Sequence, residues 1–365
     1  MADLLDRAPA PRGRLIARGS AENPANRFER LRLVADADLD PPPDDDLGEP
    51  VPVETLYLRD PTRTLLAHND SPDLGFDTSL NPYRGCAHGC SYCFARPTHE
   101  YLGFSAGLDF ETRILVKEDA PELLRRALSS PRWEPRVVAL SGVTDAYQPV
   151  EAKLRLTRRC LEVFAEFRNP VTIITKSALV ARDADLLAEL ARHRAASVHV
   201  SVTSLDDSLR RVLEPRASSP RSRLAAIETL VAAGVPVGVL CAPVIPAVND
   251  SEIPAILDAA AKAGATGAGW VMLRLPHGLK QLFEAWLVRH FPERKERVMS
   301  HMLEVGGGAL YDSRYHTRQR GTGVYAEQMR SLFELSRRRA GLASERPRLS
   351  TSAFRRPGSA QLSLL

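Results

Sequence analysis

The amino-acid sequence predicts an α/β fold, a partial (β/α)6 barrel of parallel strands. From residue 80 onward, short apolar runs alternate with longer amphipathic segments, a pattern that indicates parallel βαβ units with right-handed crossovers. About six such units fit into the chain, whereas a closed eight-unit barrel typically needs about 250 residues. We therefore favour a partial barrel over a closed barrel or a doubly wound open sheet.

The individual elements follow from hydrophobic periodicity. Strands are predicted at 76–80, 137–140, 171–175, 198–202, 235–240 and 270–273. Helices are predicted between them at 120–128, 152–167, 183–192, 222–233 and 252–263.

Composition divides the chain into four parts. Residues 1–75 are rich in Pro, Asp and Arg and predict an irregular arm, docked at 51–58. The barrel is expected at 76–278, followed by a helical extension at 279–340. Residues 341–365 are rich in Arg, Ser and Pro, which predicts a disordered basic tail.

Charge and cysteine content bear on compartment and partners. The formal net charge is +4, but residues 335–356 hold seven arginines and one glutamate, so the basic character belongs to the tail. The uncharged stretch 230–248 approaches the length of a membrane span, yet its glycines and prolines indicate a helix end, a strand and a loop. Five cysteines without a recognisable signal peptide predict a reducing, cytoplasmic setting and no membrane partner.

Three of the cysteines form a compact motif directly after the first predicted strand. Cys86, Cys90 and Cys93 lie in a loop that also contains Gly85 and Gly89, which permit tight backbone turns. Iron–sulfur clusters are usually held by four thiolates, so three would leave one iron free to take another ligand. The alternative is a structural zinc site completed by one of two nearby histidines, His88 or His99.

The motif Cys86-x3-Cys90-x-Tyr92-Cys93 resembles the signature of the radical S-adenosylmethionine (SAM) superfamily. The surrounding residues 81–99 are similar to the branch related to spore photoproduct lyase, and the similarity extends over 80–276. This resemblance implies a [4Fe-4S] cluster on Cys86, Cys90 and Cys93 that reduces SAM, so that a 5′-deoxyadenosyl radical takes hydrogen from a substrate. It also implies an electron donor such as a flavodoxin or ferredoxin.

Polar residues that follow the strands are the candidate cofactor contacts, because ligands gather at the carboxyl ends of parallel strands. The resemblance implies that the methionine amine binds after the second strand, the methionine carboxylate or ribose after the third, and the ribose after the fourth. Each residue has a simpler alternative as a cap, a turn residue or a solvated side chain. The candidates, in that order, are Ser141, Gly142, Thr144 and Asp145, then Lys176, then Ser201 and Thr203.

Three further residues are candidates. Tyr92 would shield the cluster or contact adenine, with core packing as the simpler explanation. The resemblance implies that Arg216 points toward the cofactor, whereas a lone arginine in a loop is most often solvent-facing. Spore photoproduct lyase returns hydrogen from a cysteine near the end of its second strand, where this chain has Val143 and Thr144. Cys241 is then the candidate hydrogen donor, although a single cysteine in an apolar run is usually a small buried hydrophobe.

The last five residues are similar to the short peptide with which bacterial DNA polymerases and repair proteins bind the sliding clamp. The basic tail before them offers a flexible tether and attraction for phosphates. The residues of this peptide are Gln361, Leu362, Ser363, Leu364 and Leu365.

These features predict a radical SAM enzyme that acts on DNA in a repair-type lyase reaction. The same chemistry could instead modify RNA or a protein. A different class of function is a noncatalytic, zinc-containing module that binds nucleic acid.

Overall fold

A computed structural model describes residues 17–28 and 53–357. These ranges contain strands β1 (Leu56–Arg59), β2 (Leu66–His68), β3 (Thr78–Leu80), β4 (Tyr83–Arg84), β5 (Arg113–Val116), β6 (Val138–Leu140), β7 (Val171–Thr175), β8 (Ala196–Ser201), β9 (Val237–Val244) and β10 (Gly267–Met272). The main sheet has the order β10-β9-β8-β7-β6-β3-β2. Strands β3 to β10 of this sheet pair in parallel and β2 pairs antiparallel at one edge. The predicted partial (β/α)6 barrel is confirmed, with its two edge strands left unjoined.

The helices connect successive parallel strands or follow the last one. They are α1 (Asp109–Thr112), α2 (Ala120–Ser129), α3 (Glu151–Leu154), α4 (Leu156–Phe167), α5 (Ala184–Arg192), α6 (Asp207–Leu213), α7 (Pro220–Ala232), α8 (Ile253–Lys262), α9 (Leu279–His290), α10 (Lys295–Val305) and α11 (Gly323–Arg339). Short 3-10 segments occur at Arg96–Leu102, Ala178–Asp183, Asp250–Glu252 and Pro292–Arg294.

Local chemistry explains where several helices begin and end. The Ser219 hydroxyl accepts a hydrogen bond from Ser222 N while Pro220 occupies the first helical position of α7. The Asp206 carboxylate caps α6 through Ser208 N at 2.7 Å. The single helix predicted at 152–167 is instead two, α3 and α4, because Arg155 adopts a left-handed conformation with φ 52°.

The sheet and the outer helices share one apolar core. Leu161 and Phe164 of α4 and Ile173 of β7 are completely buried within it. Burial of each such side chain contributes about 1.5–3 kcal/mol. This core holds the strand ends, and with them the loops described below, in place.

Part of the N-terminal arm has more regular structure than predicted. Strand β1 pairs with β5, with Tyr57 opposite Ile114, and β2 extends the main sheet. Such short strands carry too few residues for periodicity to reveal them, and neighbouring strands supply their hydrogen bonds. The limits of the arm, barrel and extension stay a prediction.

The predicted disorder of the basic tail is wrong for the part that the structure describes. Ala343 forms a parallel bridge with Gly267, Ser350 N donates to Arg194 O at 2.8 Å, and Arg355 N donates to Phe167 O at 2.9 Å. We call residues 343–357 the strap, because they run beneath the amino-terminal ends of the strands. A bridge to edge strand β10 and hydrogen bonds to the segments that precede β7 and β8 order this polar segment, which composition cannot reveal. The proposed clamp peptide lies outside the described residues.

Within the described ranges, no helix combines the length and apolarity needed to cross a bilayer. The uncharged stretch 230–248 contains the end of α7 and all of β9, as predicted.

Candidate functional site

The three motif cysteines lie at the mouth of one cavity of about 580 Å³ inside the partial barrel. Cys86, Cys90 and Cys93 all line it, and all three are free thiols. The cavity also touches residues after β6 and β7 and Ser201 at the end of β8, so the predicted convergence at the carboxyl ends of the strands occurs. Its opposite end reaches the strap.

Side chains from elsewhere hold the backbone of the cysteine loop. The Gln148 amide accepts from Ala87 N at 2.9 Å and donates to Gly85 O at 3.2 Å. Gly89 has φ 68°, and a Cβ there would lie 2.5 Å from the Glu111 carboxylate, so only glycine fits. The loop therefore keeps its shape through its backbone and leaves the thiols available.

A buried ion pair supports the loop from behind. Arg96 is completely buried; its Nε donates to Cys90 O at 2.9 Å, and its Nη2 lies 2.5 Å from Glu111 Oε1. Glu111 also accepts from Gly19 N and Ser20 N at 3.0 and 2.7 Å. The arm residues 17–28 thus pack against the cysteine loop, a contact that sequence reasoning missed.

The donor set fits an iron–sulfur cluster. Three free thiols line one cavity, and no disulfide occupies them. Burial and the neighbouring Cys86 raise the pKa of the Cys93 thiol to about 11, so a stable thiolate there needs a bound metal. Among the described residues, no three His, Cys, Asp or Glu side chains stand close enough together to hold a single metal ion.

The two histidines considered for zinc occupy different environments. His99 stacks on Phe104 and meets Phe110 edge-on, and burial lowers its pKa to about 4. His88 lines the cavity and pairs with Asp145, with Nδ1 and Oδ2 3.4 Å apart. Burial opposes protonation of His88, but Asp145 and Cys86 together raise its pKa to about 10.

Asp145 lines the cavity but is already fully engaged by the protein. Its carboxylate accepts from Thr175 Oγ1 at 2.7 Å and from Lys176 N at 2.8 Å. Burial acts to raise its pKa, yet His88 and the backbone donors lower it to about 2. The Asp145 carboxylate therefore ties the cysteine loop to the end of β7. The resemblance implied instead that Asp145 lies in the segment that binds the methionine amine.

The rest of the segment after β6 presents mainly backbone to the cavity. Ser141 has φ 81°, unusual for a residue with a side chain, and its hydroxyl accepts from Ala146 N at 2.8 Å. The Thr144 hydroxyl donates to Tyr83 O at 2.7 Å. A Cβ on Gly142 would lie 3.1 Å from Ser79 Cβ, so the chain passes very close to β3. Ser141, Gly142 and Thr144 all line the cavity as predicted.

Lys176 and Ser201 meet inside the cavity. Lys176 Nζ donates to Ser201 Oγ at 2.8 Å and to Ala242 O at 3.0 Å. The ammonium also lies 5.7 Å from the centre of the Tyr92 ring. The structure therefore brings a cation to within reach of the cysteine loop, next to a side chain of the motif itself.

Tyr92 belongs to a buried polar network that sequence reasoning largely missed. Its hydroxyl donates to Glu214, which also accepts from Thr203 Oγ1 at 2.7 Å and pairs with Arg223. Burial acts to raise the pKa of Glu214, but Arg223 and Lys176 lower it to about 2. Thr203 lies behind the cavity wall in this network, whereas Tyr92 lines the cavity.

Two predicted site residues lie elsewhere. Arg216 is not among the described residues that line the cavity; its Nη1 contacts Thr55 Oγ1 at 3.4 Å. The residue of that loop that contacts a cavity-lining side chain is Glu214, and no local sequence signal distinguishes it. Cys241 does not line the cavity either. Its neighbours on β9, Gly238, Leu240 and Ala242, do line it. Because side chains alternate along a strand, Cys241 faces the helices instead, where it is 2% exposed.

Known proteins share both sequence and fold with this chain. Residues 80–260 match the family model of the radical SAM superfamily. An uncharacterized protein of Mycobacterium tuberculosis is 41% identical over 226 residues, which are 61% of this chain and 66% of that protein. An uncharacterized protein of Methanocaldococcus jannaschii is 30% identical over 173 residues, 47% of this chain and 62% of that protein. The chain thus spans somewhat less than two thirds of these relatives.

Among solved structures, spore photoproduct lyase in complex with dinucleoside spore photoproduct superimposes with a TM-score of 0.55. The match covers 78% of this chain and 80% of that chain at 16% sequence identity. The expected relationship to spore photoproduct lyase is therefore confirmed at the level of the fold.

Proposed function

Because the chain belongs to the radical SAM superfamily, we propose that it is a cytoplasmic enzyme that abstracts hydrogen from a substrate in DNA, in a repair-type lyase reaction. The observation that carries the proposal is that Cys86, Cys90 and Cys93 line one cavity inside the barrel. A [4Fe-4S] cluster held there by Cys86, Cys90 and Cys93 would supply the one electron that cleaves SAM to methionine and a 5′-deoxyadenosyl radical. A flavodoxin or ferredoxin is the proposed source of that electron.

The chain's own residues orient the reactants and exclude water. Lys176 is the cation available to the methionine carboxylate or ribose, and Ser201 holds its ammonium in place. The exposed backbone of Ser141 and Gly142 is available to the methionine amine. The network of Tyr92 and Glu214 keeps the cysteine loop rigid, which preserves the distance between the radical and its target.

The shape and lining of the cavity support a nucleic-acid substrate. Phe94, directly after Cys93, is 46% exposed and lines the cavity. The Arg274 guanidinium lies 5.2 Å above its ring. Aromatic faces interleaved with cations suit unstacked bases and their phosphates. The solved spore photoproduct lyase complex, which contains a dinucleoside lesion, supports the same substrate class.

The test is product analysis on the anaerobically reconstituted protein. We expect iron in the protein and 5′-deoxyadenosine after addition of SAM and reductant, with faster formation when ultraviolet-damaged DNA is present. Undamaged DNA, transfer RNA and peptides are the comparison substrates. Stimulation by RNA or peptide alone would assign the enzyme to RNA or protein modification. Zinc in place of iron, without 5′-deoxyadenosine, would favour the noncatalytic zinc module.

We further propose that residues 361–365 bind the bacterial sliding clamp. The described chain ends at 357, where Arg356 Nη2 donates to Trp133 O at 2.9 Å beneath the amino-terminal ends of the strands. A clamp bound beyond that point would leave the cavity mouth at the other end of the barrel free. Replacing Leu364 and Leu365 with serine should abolish clamp capture in a pull-down, while Ser363→Ala should preserve it. Equal capture by both variants would refute the contact.

A further inference from the structure

One side of the partial barrel is closed by a loop rather than by strand pairing. Residues 306–321 connect α10 to α11 without a helix or strand, and Thr322 N donates to Val305 O at 2.9 Å, so the two ends of the connection lie together. A surface segment with adjacent ends is an Ω-loop, a class of loop that frequently carries function. We call residues 306–321 the Ω-loop.

The Ω-loop joins the two edges of the main sheet that strand pairing leaves apart. On β10, at one edge, Met272 N donates to Gln319 O and Trp270 O accepts from Arg320, each at 2.8 Å. The far side of the loop contacts the connection between β2, the opposite edge strand, and β3. Arg318, Gln319 and Arg320 line the cavity. The Ω-loop is therefore a wall of the cavity where the barrel is open.

Asp73 holds the far side of the Ω-loop. Its carboxylate, 4% exposed, accepts from His316 N and from Arg318 Nε, each at 2.6 Å. Arg318 also donates to the Ser71 hydroxyl. The His316 ring lies beside the same carboxylate, with Nδ1 3.7 Å away, and is largely exposed. Charge-assisted hydrogen bonds of this kind are shorter and stronger than neutral ones, so one carboxylate attaches the loop to the far edge.

The rest of the Ω-loop is weakly attached to the barrel. None of its residues is buried, Leu310 packs only partly against the core, and Tyr311 accepts a hydrogen bond of 3.3 Å from Arg274. Glycines with positive φ lie at both ends, including Gly308 at 95° and Gly321 at 73°. A Cβ on Gly308 would meet nothing within 4 Å, so the backbone is free to rotate there. Segments with few buried contacts open locally at a small cost in free energy.

We propose that the Ω-loop is a lid that swings away from Asp73 to admit the substrate and closes again before the radical forms. This inference rests on the proposed function, whose reaction brings SAM and part of a DNA strand together. A cavity of about 580 Å³ has the size that holds one small-molecule ligand, so the two reactants need more room than the closed wall gives. Closure then excludes water and stray hydrogen donors, as active-site loops do in other enzymes.

Hydrogen exchange tests the lid without turnover. In the reconstituted full chain, Asp73→Asn should make the amides of 309–320 exchange about tenfold faster or more, because a charge-assisted contact is lost. Amides of α11 should keep their rate. Asp77→Asn is the matched control, since Asp77 lies in the same connection but pairs with Arg136 at 3.5 Å on the surface. Arg318→Lys keeps the charge and should give an intermediate rate.

A second measurement distinguishes a lid from a fixed wall. With an ultraviolet-damaged oligonucleotide, SAM and a thiol in the buffer, Asp73→Asn should raise the ratio of 5′-deoxyadenosine formed to lesion converted. The reason is that the radical takes a hydrogen atom from the thiol when the lid does not close. Asp77→Asn should keep the ratio of the unchanged protein.

The outcomes separate the lid from the proposed enzyme. Equal exchange of 309–320 in Asp73→Asn and Asp77→Asn would overturn the lid and leave the enzyme intact. Faster exchange with an unchanged product ratio would show a mobile wall that does not shield the radical, which also overturns the lid. Absence of 5′-deoxyadenosine with every substrate would instead refute the enzyme, and the exchange rates would still decide whether the loop opens.

Discussion

The two ends of the cavity differ in how their polar groups are held. Around the cysteine loop, Gln148, Arg96 and Glu214 each have buried partners at hydrogen-bonding distance. At the end near residues 343–357, Arg346 is exposed to solvent, and the Nδ1 of His199 is buried without a hydrogen-bond partner among the described residues. A satisfied network of buried hydrogen bonds rigidifies the segment that it holds. The cysteine loop is therefore the more firmly held of the two ends.

The largest effect should come from the cysteine loop. Cys90→Ala removes one of three ligands, so we expect loss of iron and of 5′-deoxyadenosine formation to below detection. Cys160→Ala, in a buried thiol on α4 outside the cavity, is the control and should retain both. Iron analysis and chromatography of the products provide the measurements. Normal iron content in Cys90→Ala would contradict the proposal that Cys90 is a cluster ligand.

The next effect concerns the network behind the loop. Glu214→Gln leaves Arg223 buried without its carboxylate and should lower the free energy of unfolding by about 3–5 kcal/mol. Glu122→Gln removes an exposed ion pair with Arg159 and should cost less than about 1 kcal/mol. Anaerobic urea denaturation measures both, and iron release should be faster in Glu214→Gln alone. An equal loss of unfolding free energy in Glu214→Gln and Glu122→Gln would show that the network around Glu214 adds no rigidity.

The pH dependence of stability tests the environment of His199. The pKa of His199 is about 4 in the folded chain, below its ordinary 6.5, because burial and Arg346 disfavour the charged imidazole. Its contribution to stability is therefore fully present above pH 6.5 and is lost as the pH falls toward 4, by roughly 3 kcal/mol at pH 4. In His199→Asn, the free energy of unfolding from denaturation curves should change less between these pH values than it does in the unchanged protein. Parallel curves for the two proteins would contradict a buried neutral histidine.

The smallest effect is expected at Cys241. Its side chain lies on the helix-facing side of β9, away from both ends of the cavity. Cys241→Val conserves volume approximately and should change stability by less than about 1.5 kcal/mol, with product formation unchanged. Loss of product in a variant with full iron content would restore Cys241 as the hydrogen donor.

The sequence alone determined the parts of this protein that depend on short-range spacing. The alternation of apolar runs located the six parallel strands to within a few residues, and three cysteines in one loop indicated the radical SAM superfamily, because both signals lie within a few consecutive residues. Most of the polar residues expected at the ends of β6, β7 and β8 do line the cavity, since parallel strands end at the same edge, but Thr203 does not.

Tertiary structure alone decided which polar groups are partners. Glu214 meets Tyr92 across 122 positions of the sequence, and Arg346 reaches the β8 histidine because the strap pairs with the start of β10. The orientation of Cys241 likewise depended on the exact register of β9 in the sheet. Residues distant in the chain become neighbours only through strand pairing and core packing, and no local pattern carries that information.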